Sequence, residues 1–330
     1  MTHGNIAIFI PHMGCPHACS FCDQRSISGT PQPVTPEDAA ALLEEAFRKE
    51  PDPAHTEIAF FGGSFTCLPE TEIEAFLKVA FPYVKEKACT GIRVSTRPDG
   101  LSPRVLELLK QYGVTAVELG AQSMDDAVLR LNRRGHTAED VRKACAAVRT
   151  EFSLGLQVMA GLPGENRKSF DRTMGEVCNL KPDTLRIYPT VVLRGTDLER
   201  MTRENLYAPL TVEEAVEWVA PWIPRLEQTR IKVIRVGLHA SRSVEERLIG
   251  GAYHPAFREL CDGWLYRRLM KQELEKCPPG AAVTFLVSPR ELSKAAGQKR
   301  ANLVWAAENG YQVKLQPDPT TQPGTLQILL

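Results

Sequence analysis

The stretch CPHACSFC (residues 15–22) places three cysteines within eight residues, directly after a short apolar run, NIAIFI (5–10). The apolar run predicts a β-strand. Gly14 and Pro16 indicate that the residues after it form a loop or the start of a helix, not the middle of one. A group of thiols therefore stands where the chain leaves its first strand. The three residues are Cys15, Cys19 and Cys22.

Similar short apolar runs recur along the chain and alternate with longer amphipathic segments. Such alternation with continuous apolar strands predicts a parallel sheet covered by helices. Six units predict an α/β fold, a partial (β/α)6-type TIM-like parallel barrel over 1–240, followed by a small C-terminal α/β domain over 241–330. The polar and glycine-rich pieces follow the strands, at the end where barrel enzymes hold their active sites. The predicted strands are 5–10, 56–63, 91–96, 116–122, 154–164 and 184–190.

Composition narrows the class of protein. The 330 residues include 40 basic and 40 acidic side chains, so no global basic field attracts nucleic acid. The N-terminus lacks a charged segment before its apolar run, and no window reaches the length of a membrane span. Nine cysteines, an odd number and mostly isolated, do not form a disulfide framework. We expect a cytoplasmic protein without a membrane partner.

Three interpretations of the cysteine stretch differ in chemistry. The spacing matches one helical face, on which cysteine packs as a small apolar residue, although the neighbouring glycine and proline disfavour a mid-helix position. Zinc would need His12 or His17 as a fourth ligand, but structural zinc usually uses two separated ligand pairs and the sequence has no second pair. A 4Fe–4S cluster on three thiolates leaves one iron without a protein ligand. The other six cysteines lack ligand spacing, and we expect them to pack.

The C-x₃-C-x₂-C spacing, with Phe21 before the last cysteine, resembles the signature of radical S-adenosylmethionine (SAM) enzymes. The resemblance implies that Cys15, Cys19 and Cys22 ligate a 4Fe–4S cluster and that its open iron binds the amino and carboxylate groups of SAM. One electron, from a donor such as flavodoxin or ferredoxin, then cleaves SAM to a 5′-deoxyadenosyl radical.

The same resemblance implies further contacts at the strand ends. The GGSF motif (62–65) is similar to the glycine motif that holds the SAM ammonium group, where glycines let backbone carbonyls approach closely. Glu118 and Gln157 are the catalytic candidates; alternatively, each makes a hydrogen bond within the core, and Glu118 needs a donor such as an arginine. Arg134 offers a fork for the SAM carboxylate or is an ordinary solvated side chain. The cofactor-binding candidates are Phe21, Gly62, Gly63, Ser64, Ser95, Arg97, Gln122 and Arg134.

Three further motifs, ELGAQS (118–123), NRRGH (132–136) and RIYPT with RGT-x-L (186–198), resemble the radical domain of the Elongator catalytic subunit. That enzyme modifies wobble uridine in transfer RNA, which implies an RNA substrate. GLPGE and GAYHPAFREL resemble related bacterial radical enzymes, including oxygen-independent coproporphyrinogen oxidases. The sequence departs from that of the Elongator catalytic subunit in two ways: the gap between its first two cysteines is narrower, and the chain is too short for an acetyltransferase domain. The resemblance therefore does not imply carboxymethylation of uridine.

The C-terminal segment has the order helix, basic turn, helix and strand of a KH-type RNA module, but its turn lacks the second glycine of G-x-x-G. In one interpretation the basic residues at 290–300 contact RNA. In the other they are an ordinary solvated surface, and the C-terminal unit is a lid that closes the barrel. A radical enzyme acting on a small molecule or peptide is the second functional hypothesis, which the zero net charge favours. A non-catalytic iron–sulfur, zinc or haem binding or delivery protein is the third.

Overall fold

The computed structural model describes residues 4–10, 13–23, 34–50, 52 and 55–329. In chain order the strands are β1 (Gly4–Ile10), β2 (Thr56–Gly62), β3 (Ile92–Thr96), β4 (Val114–Gln122), β5 (Ser153–Ala160), β6 (Thr184–Pro189), β7 (Val191–Leu193), β8 (Lys232–Val236), β9 (Leu248–Gly251), β10 (Ala282–Val287), β11 (Gln312–Pro317) and β12 (Gln327–Leu329).

The main sheet is a half-barrel of seven parallel strands in the order β1-β2-β3-β4-β5-β6-β8. The predicted partial barrel is therefore confirmed. The sheet has one strand more than predicted, because β8 follows the six predicted strands. Helical structure lies between each strand of this sheet and the next along the chain, as parallel pairing requires.

Helices cover the outer face of the sheet. The first of them shows how the sequence sets a boundary: Thr35 caps the helix in a reciprocal hydrogen-bonded box with Asp38, and Pro36 occupies its first turn. The α-helices span Pro36–Lys49, Glu70–Lys85, Pro103–Gln111, Asp126–Leu131, Ala138–Arg149, Arg167–Leu180, Asp197–Arg203, Val212–Val219, Trp222–Gln228, Arg242–Glu245, Phe257–Leu274, Leu292–Ala296 and Ala301–Glu308. In the part of the chain that the structure describes, no helix is long and apolar enough to span a membrane.

The large apolar core lies between the sheet and these helices. Phe60 on β2 packs against Phe65 and Phe76, with ring centroids 4.8 and 5.9 Å away, and all three are fully or almost fully buried. Full burial of one such side chain contributes about 1.5–3 kcal/mol. Because the outer face carries the apolar residues, the inner face of the same strands is free to carry polar ones.

The C-terminal unit is a three-stranded sheet in the order β11-β10-β12, with its own small core. The long helix Phe257–Leu274 belongs to both cores: Phe257 and Cys261 pack in the barrel core, whereas Tyr266 and Met270 pack in the small one. The division of the chain at residue 240 stays a prediction. A short antiparallel pair, β7 with β9, was not predicted.

Candidate active site

A cavity of about 340 Å³ opens at the carboxyl ends of the parallel strands. Every site residue predicted from the sequence lies in its wall, although the candidates come from six different stretches of the chain. The structure brings together Cys15, Cys19, Phe21, Cys22, Gly62, Gly63, Ser64, Ser95, Arg97, Glu118, Gln122, Arg134 and Gln157.

The cysteine loop rests on the glycine turn after β2 through backbone contacts. The Ser64 amide donates to the Met13 carbonyl over 2.9 Å. A Cβ on Gly63 would lie 2.1 Å from that same carbonyl oxygen, and a Cβ on Gly14, whose φ is +71°, would lie 2.2 Å from the Ser64 carbonyl oxygen. Only residues without a Cβ permit this approach. The turn therefore sets where the cysteine loop begins.

Polar groups of the wall also hold the cysteine sulfurs. Cys15 Sγ lies 3.6 Å from Ser64 Oγ, and Arg134 donates from Nη1 to Cys19 Sγ over 2.9 Å and from Nη2 to the Gly120 carbonyl over 2.7 Å. A guanidinium donor suits a sulfur that carries negative charge. Arg134 is thus fixed between the loop and β4.

Arg97 supports this arrangement from the neighbouring strand end. Its guanidinium makes two hydrogen bonds to Asp99, of 2.9 and 2.8 Å, and also donates to the Arg134 carbonyl. The side chain is 3% exposed, yet it borders the cavity. Its predicted role at the cofactor stays a prediction, and the contacts seen here make it a brace for the Arg134 backbone.

Three buried polar atoms in the cavity wall have no hydrogen-bond partner among the described residues: Ser95 Oγ, Gln122 Oε1 and Arg134 Nε. Leaving such an atom unpaired costs about 1–3 kcal/mol. Gln122 also has a left-handed backbone, with φ of +66°, next to a register shift between β4 and β5. An irregularity of this kind re-aims a side chain and is typical of sites that bind a polar molecule.

A row of charged side chains crosses the inner face of the sheet. Glu118, 1% exposed, accepts from Arg186 Nε at Oε2 over 2.8 Å and from Gln157 at Oε1. Arg93 lies 4.0 Å from Glu118 Oε2 and donates to Glu57 over 2.7 Å. We call Glu57, Arg93, Glu118 and Arg186 the interior ion ladder. An arginine partner was one of the expectations for Glu118, and its catalytic role stays a prediction.

Sequence reasoning missed part of the cavity wall, chiefly at β6 and beyond β8. Two of the missed residues, Arg186 and Tyr188, could have been found from the alternation of polar and apolar residues in LRIYP (185–189), because alternate residues of a strand share one face. The missed lining residues include Phe9, Phe61, Met159, Arg186, Tyr188, Leu238 and His239.

His136 lies behind Arg134 and is 4% exposed. Burial, and secondarily the nearby Arg134 charge, lower the pKa of its imidazole to about 4. In the unfolded chain the same imidazole binds a proton at about pH 6.5, whereas in the folded protein it stays neutral until about pH 4. The contribution of His136 to stability is therefore fully present above pH 6.5 and is lost as the pH falls towards 4.

We therefore expect the free energy of unfolding to fall by about 2 kcal/mol between pH 7 and pH 5 because of His136 alone. Urea unfolding at both pH values measures this difference. His136→Asn should remove most of it, whereas His55→Asn at an exposed histidine should leave the wild-type difference. Equal differences in all three proteins would contradict the assignment.

Comparison with known families identifies the class of protein. The profile of the radical SAM superfamily matches residues 9–177, just over half of the 330 residues, and that of the radical SAM C-terminal domain matches residues 182–267. The chain therefore belongs to the radical SAM superfamily, and it is an enzyme.

The relatives agree with the predicted resemblance to Elongator. The chain is 29% identical over 242 residues to the tRNA uridine(34) acetyltransferase of Dehalococcoides mccartyi, covering 62% of this chain and 52% of the relative. It is 29% identical over 229 residues to human (Homo sapiens) Elongator complex protein 3, covering 62% of this chain and 40% of the relative. The chain thus spans about half the length, or less, of these curated relatives.

A solved structure, the archaeal Elp3 of Methanocaldococcus infernus with an N-terminal deletion, has the same fold. Its TM-score is 0.65 at 22% identity, covering 82% of this chain and 63% of that one.

The residues around the cavity fit the two cofactors that the superfamily implies, a 4Fe–4S cluster and SAM. Three cysteine sulfurs are a donor set that suits iron–sulfur clusters, and the unpaired polar atoms of the wall suit a polar ligand. For a single zinc ion, no group of three His, Cys, Asp or Glu in the described part of the chain converges on one position. His12, one of the alternative zinc ligands, lies outside the described residues.

Proposed function

We propose that this enzyme holds a 4Fe–4S cluster on Cys15, Cys19 and Cys22, binds SAM in the adjoining cavity, and modifies an RNA, foremost a transfer RNA. The observation that carries the proposal is the single cavity in which the cysteine loop, the glycine turn and three unpaired polar atoms meet. When bound, the cluster and SAM supply a carbon radical able to take a hydrogen atom from a substrate.

The residues of the wall have distinct tasks in this proposal. The carbonyls of the turn at Gly62 and Gly63 accept from the SAM ammonium group, and the short backbone approach brings them within reach. The unpaired Nε of Arg134 attracts the SAM carboxylate, while the same side chain keeps Cys19 in place. Ser95 and Gln122 supply hydrogen bonds to the remaining polar groups of SAM.

Apolar side chains complete the cavity. Phe21, Phe61 and Met159 line it, and Arg134 lies 5.9 Å from the centre of the Phe21 ring. An apolar wall excludes water, which protects a reactive carbon radical from side reactions. Glu118 and Gln157 orient each other and face the cavity, and we propose that they contact the substrate there.

The relatives support RNA as the substrate class, since one of them is a tRNA uridine(34) acetyltransferase. In the C-terminal unit, Lys294 is paired with Glu291 over 2.8 Å. Arg290, Lys299 and Arg300 make no ion pair with any described residue, and the last two have left-handed backbones next to Gly297. We propose this turn, within 290–300, as a contact for RNA phosphates.

We place the enzyme in the cytoplasm, where reduced thiols and an electron donor such as flavodoxin or ferredoxin are at hand. Three thiolates that hold a cluster require such a compartment, because an oxidising one favours disulfides.

The first test is formation of 5′-deoxyadenosine. The purified protein is reconstituted with iron and sulfide without oxygen, given SAM and dithionite, and the product is quantified by chromatography. Wild type should form it, whereas Cys19→Ala should lose at least about 99% of the activity because the cluster loses one of three ligands.

Cys67→Ala is the matched control, because this thiol is close to Cys15 but lies outside the cavity wall, with burial raising its pKa. It should keep wild-type activity. A wild-type protein that binds iron but never forms 5′-deoxyadenosine would favour the binding or delivery hypothesis.

The RNA substrate needs a separate test. Nucleosides from transfer RNA of wild-type and deletion cells are compared by mass spectrometry. A modified nucleoside missing in the deletion strain supports the proposal. Identical profiles together with 5′-deoxyadenosine formation in vitro would favour a small molecule or peptide substrate.

A further inference from the structure

The last strand of the half-barrel, β8, adds a second arginine beside Arg186. Arg186 and Arg235 are register partners on β6 and β8, so both side chains project from the same face of the sheet. Arg186 lines the cavity, as do its neighbours Tyr188 and His239. Arg235 itself is not a lining residue, but its register pairing with Arg186 places it directly beside this part of the wall. Burial first, and then the charges of Arg235 and Arg186, lower the pKa of His239.

The charges on the inner face do not balance. Arg93 is paired with Glu57 over 2.7 Å and Arg186 with Glu118 over 2.8 Å. Arg235 is half-buried and has no hydrogen bond or ion pair with any described residue, and its Nε is fully buried. No residue outside the described ranges is an aspartate or glutamate. One guanidinium therefore exceeds the side-chain carboxylates that could pair with it.

The buried Nε of Arg235, which lies beside Arg186 of the cavity wall, costs free energy unless a ligand pairs with it. The guanidinium fork matches the geometry of a phosphate or carboxylate, with two parallel hydrogen bonds. Tyr188 and His239 line the same cavity and offer an O–H and an N–H, since burial raises the pKa of Tyr188 and lowers that of His239. Both side chains are uncharged at neutral pH.

We propose that Arg235, together with Tyr188 and His239, binds an oxyanion of the substrate, a phosphate or a carboxylate, at the β6–β8 side of the cavity. This inference rests on the proposed function, because it takes the cavity as the place where the substrate reacts. It separates the wall into a cofactor side, at the cysteine loop and Arg134, and a substrate side, at Tyr188 and His239 next to Arg235.

The test measures binding of inorganic phosphate to the reconstituted protein in the absence of oxygen. Thermal unfolding is followed as phosphate is added, with sodium chloride keeping the ionic strength constant. Phosphate should raise the melting temperature of wild type in a saturable manner. Arg235→Gln should weaken phosphate binding at least about tenfold. Lys232→Gln is the matched control, since it removes a cation from the exposed start of the same strand and should bind as wild type does.

Arg235→Lys provides a second variant if the glutamine variant does not fold. It keeps the charge but loses the fork, so binding should weaken less than in Arg235→Gln while remaining weaker than in wild type. No saturable effect in wild type, or equal phosphate binding by wild type and both Arg235 variants, would overturn the proposal.

Further arms separate the sources of the oxyanion. If uridine 5′-monophosphate binds wild type more tightly than uridine does, and Arg235→Gln binds both equally, the oxyanion is a nucleotide phosphate. Acetate replacing phosphate with the same dependence on Arg235 supports a carboxylate. Saturating SAM that abolishes the phosphate effect would overturn the substrate assignment, because the oxyanion site would then be that of the SAM carboxylate.

The two proposals fail in different ways. Arg235-dependent phosphate binding without 5′-deoxyadenosine formation would retain the oxyanion site and remove the radical function. If the enzyme forms 5′-deoxyadenosine but phosphate, acetate and nucleotide show no effect that depends on Arg235, the radical function is retained and the oxyanion site is removed.

Discussion

Replacing Gly63 with alanine should lower the iron content of the reconstituted protein about tenfold or more. The added Cβ would lie 2.1 Å from the Met13 carbonyl oxygen and 2.6 Å from that of Ile10. Both contacts are with backbone, which cannot rotate away as a side chain can. The start of the cysteine loop must therefore shift, and a thiolate set held by short contacts loses its alignment.

Iron and sulfide analysis after reconstitution measures this effect, and thermal unfolding before reconstitution measures the accompanying strain of about 1–3 kcal/mol. Gly175→Ala is the matched control. It lies in the helix Arg167–Leu180, where a Cβ would meet nothing within 4 Å, so alanine should stabilise the helix by about 0.5–1 kcal/mol and leave the iron content unchanged. A Gly63→Ala protein with full iron content would disprove the role given to the turn.

Glu118→Ala should lower the free energy of unfolding by about 3–5 kcal/mol. The substitution removes the carboxylate that accepts from Arg186 and faces Arg93. It leaves the buried guanidinium of Arg186 without a carboxylate partner, whereas Arg93 keeps Glu57. A loss of this size is a large part of the total of about 5–15 kcal/mol that holds a typical domain folded.

Urea unfolding monitored by circular dichroism measures the loss. Glu45→Ala is the control for removing a glutamate that pairs with a lysine on an exposed helix, and it should change stability within experimental error. Glu118→Gln separates structure from catalysis, because the amide keeps the size and one acceptor oxygen while the charge is lost. If Glu118→Gln is as stable as wild type but loses turnover of substrate, the ladder is not a structural element and the catalytic assignment gains support.

Much of the site follows from local sequence patterns. Apolar runs locate the strands, and parallel strands bring their carboxyl ends to one edge, so residues just beyond each strand must meet. Cys15, Gly62 and Ser95 illustrate this: each follows or ends a predicted strand, and all three line one cavity. The spacing of the cysteines added the class of cofactor through its resemblance to a known family.

The missing elements have physical causes. The edge strand β8 reads KVIRV, with two charges in five residues and incomplete burial, so its apolar signal is weak. Arg235 and His239 were missed because they depend on that strand. Pairing partners were equally hidden: Arg186 and Glu118 are 68 positions apart, and only the register of the three strands β4, β5 and β6 brings them together. Sequence alone also gave no reason for Arg97 to hold Asp99 and the Arg134 backbone.

The half-barrel leaves β1 and β8 as separate edges, and this shape bears on the size of substrate that the enzyme accepts. Along β1 the inward-facing Asn5, Ala7 and Phe9 are exposed, and Phe9 is part of the cavity wall at 45% exposure. Among the described residues, the cavity therefore borders solvent along β1 as well as at the carboxyl ends of the strands. A polymer far larger than the cavity of about 340 Å³ would need to place only one of its units inside, past β1. The rest of its length would stay outside, on the surface of the enzyme.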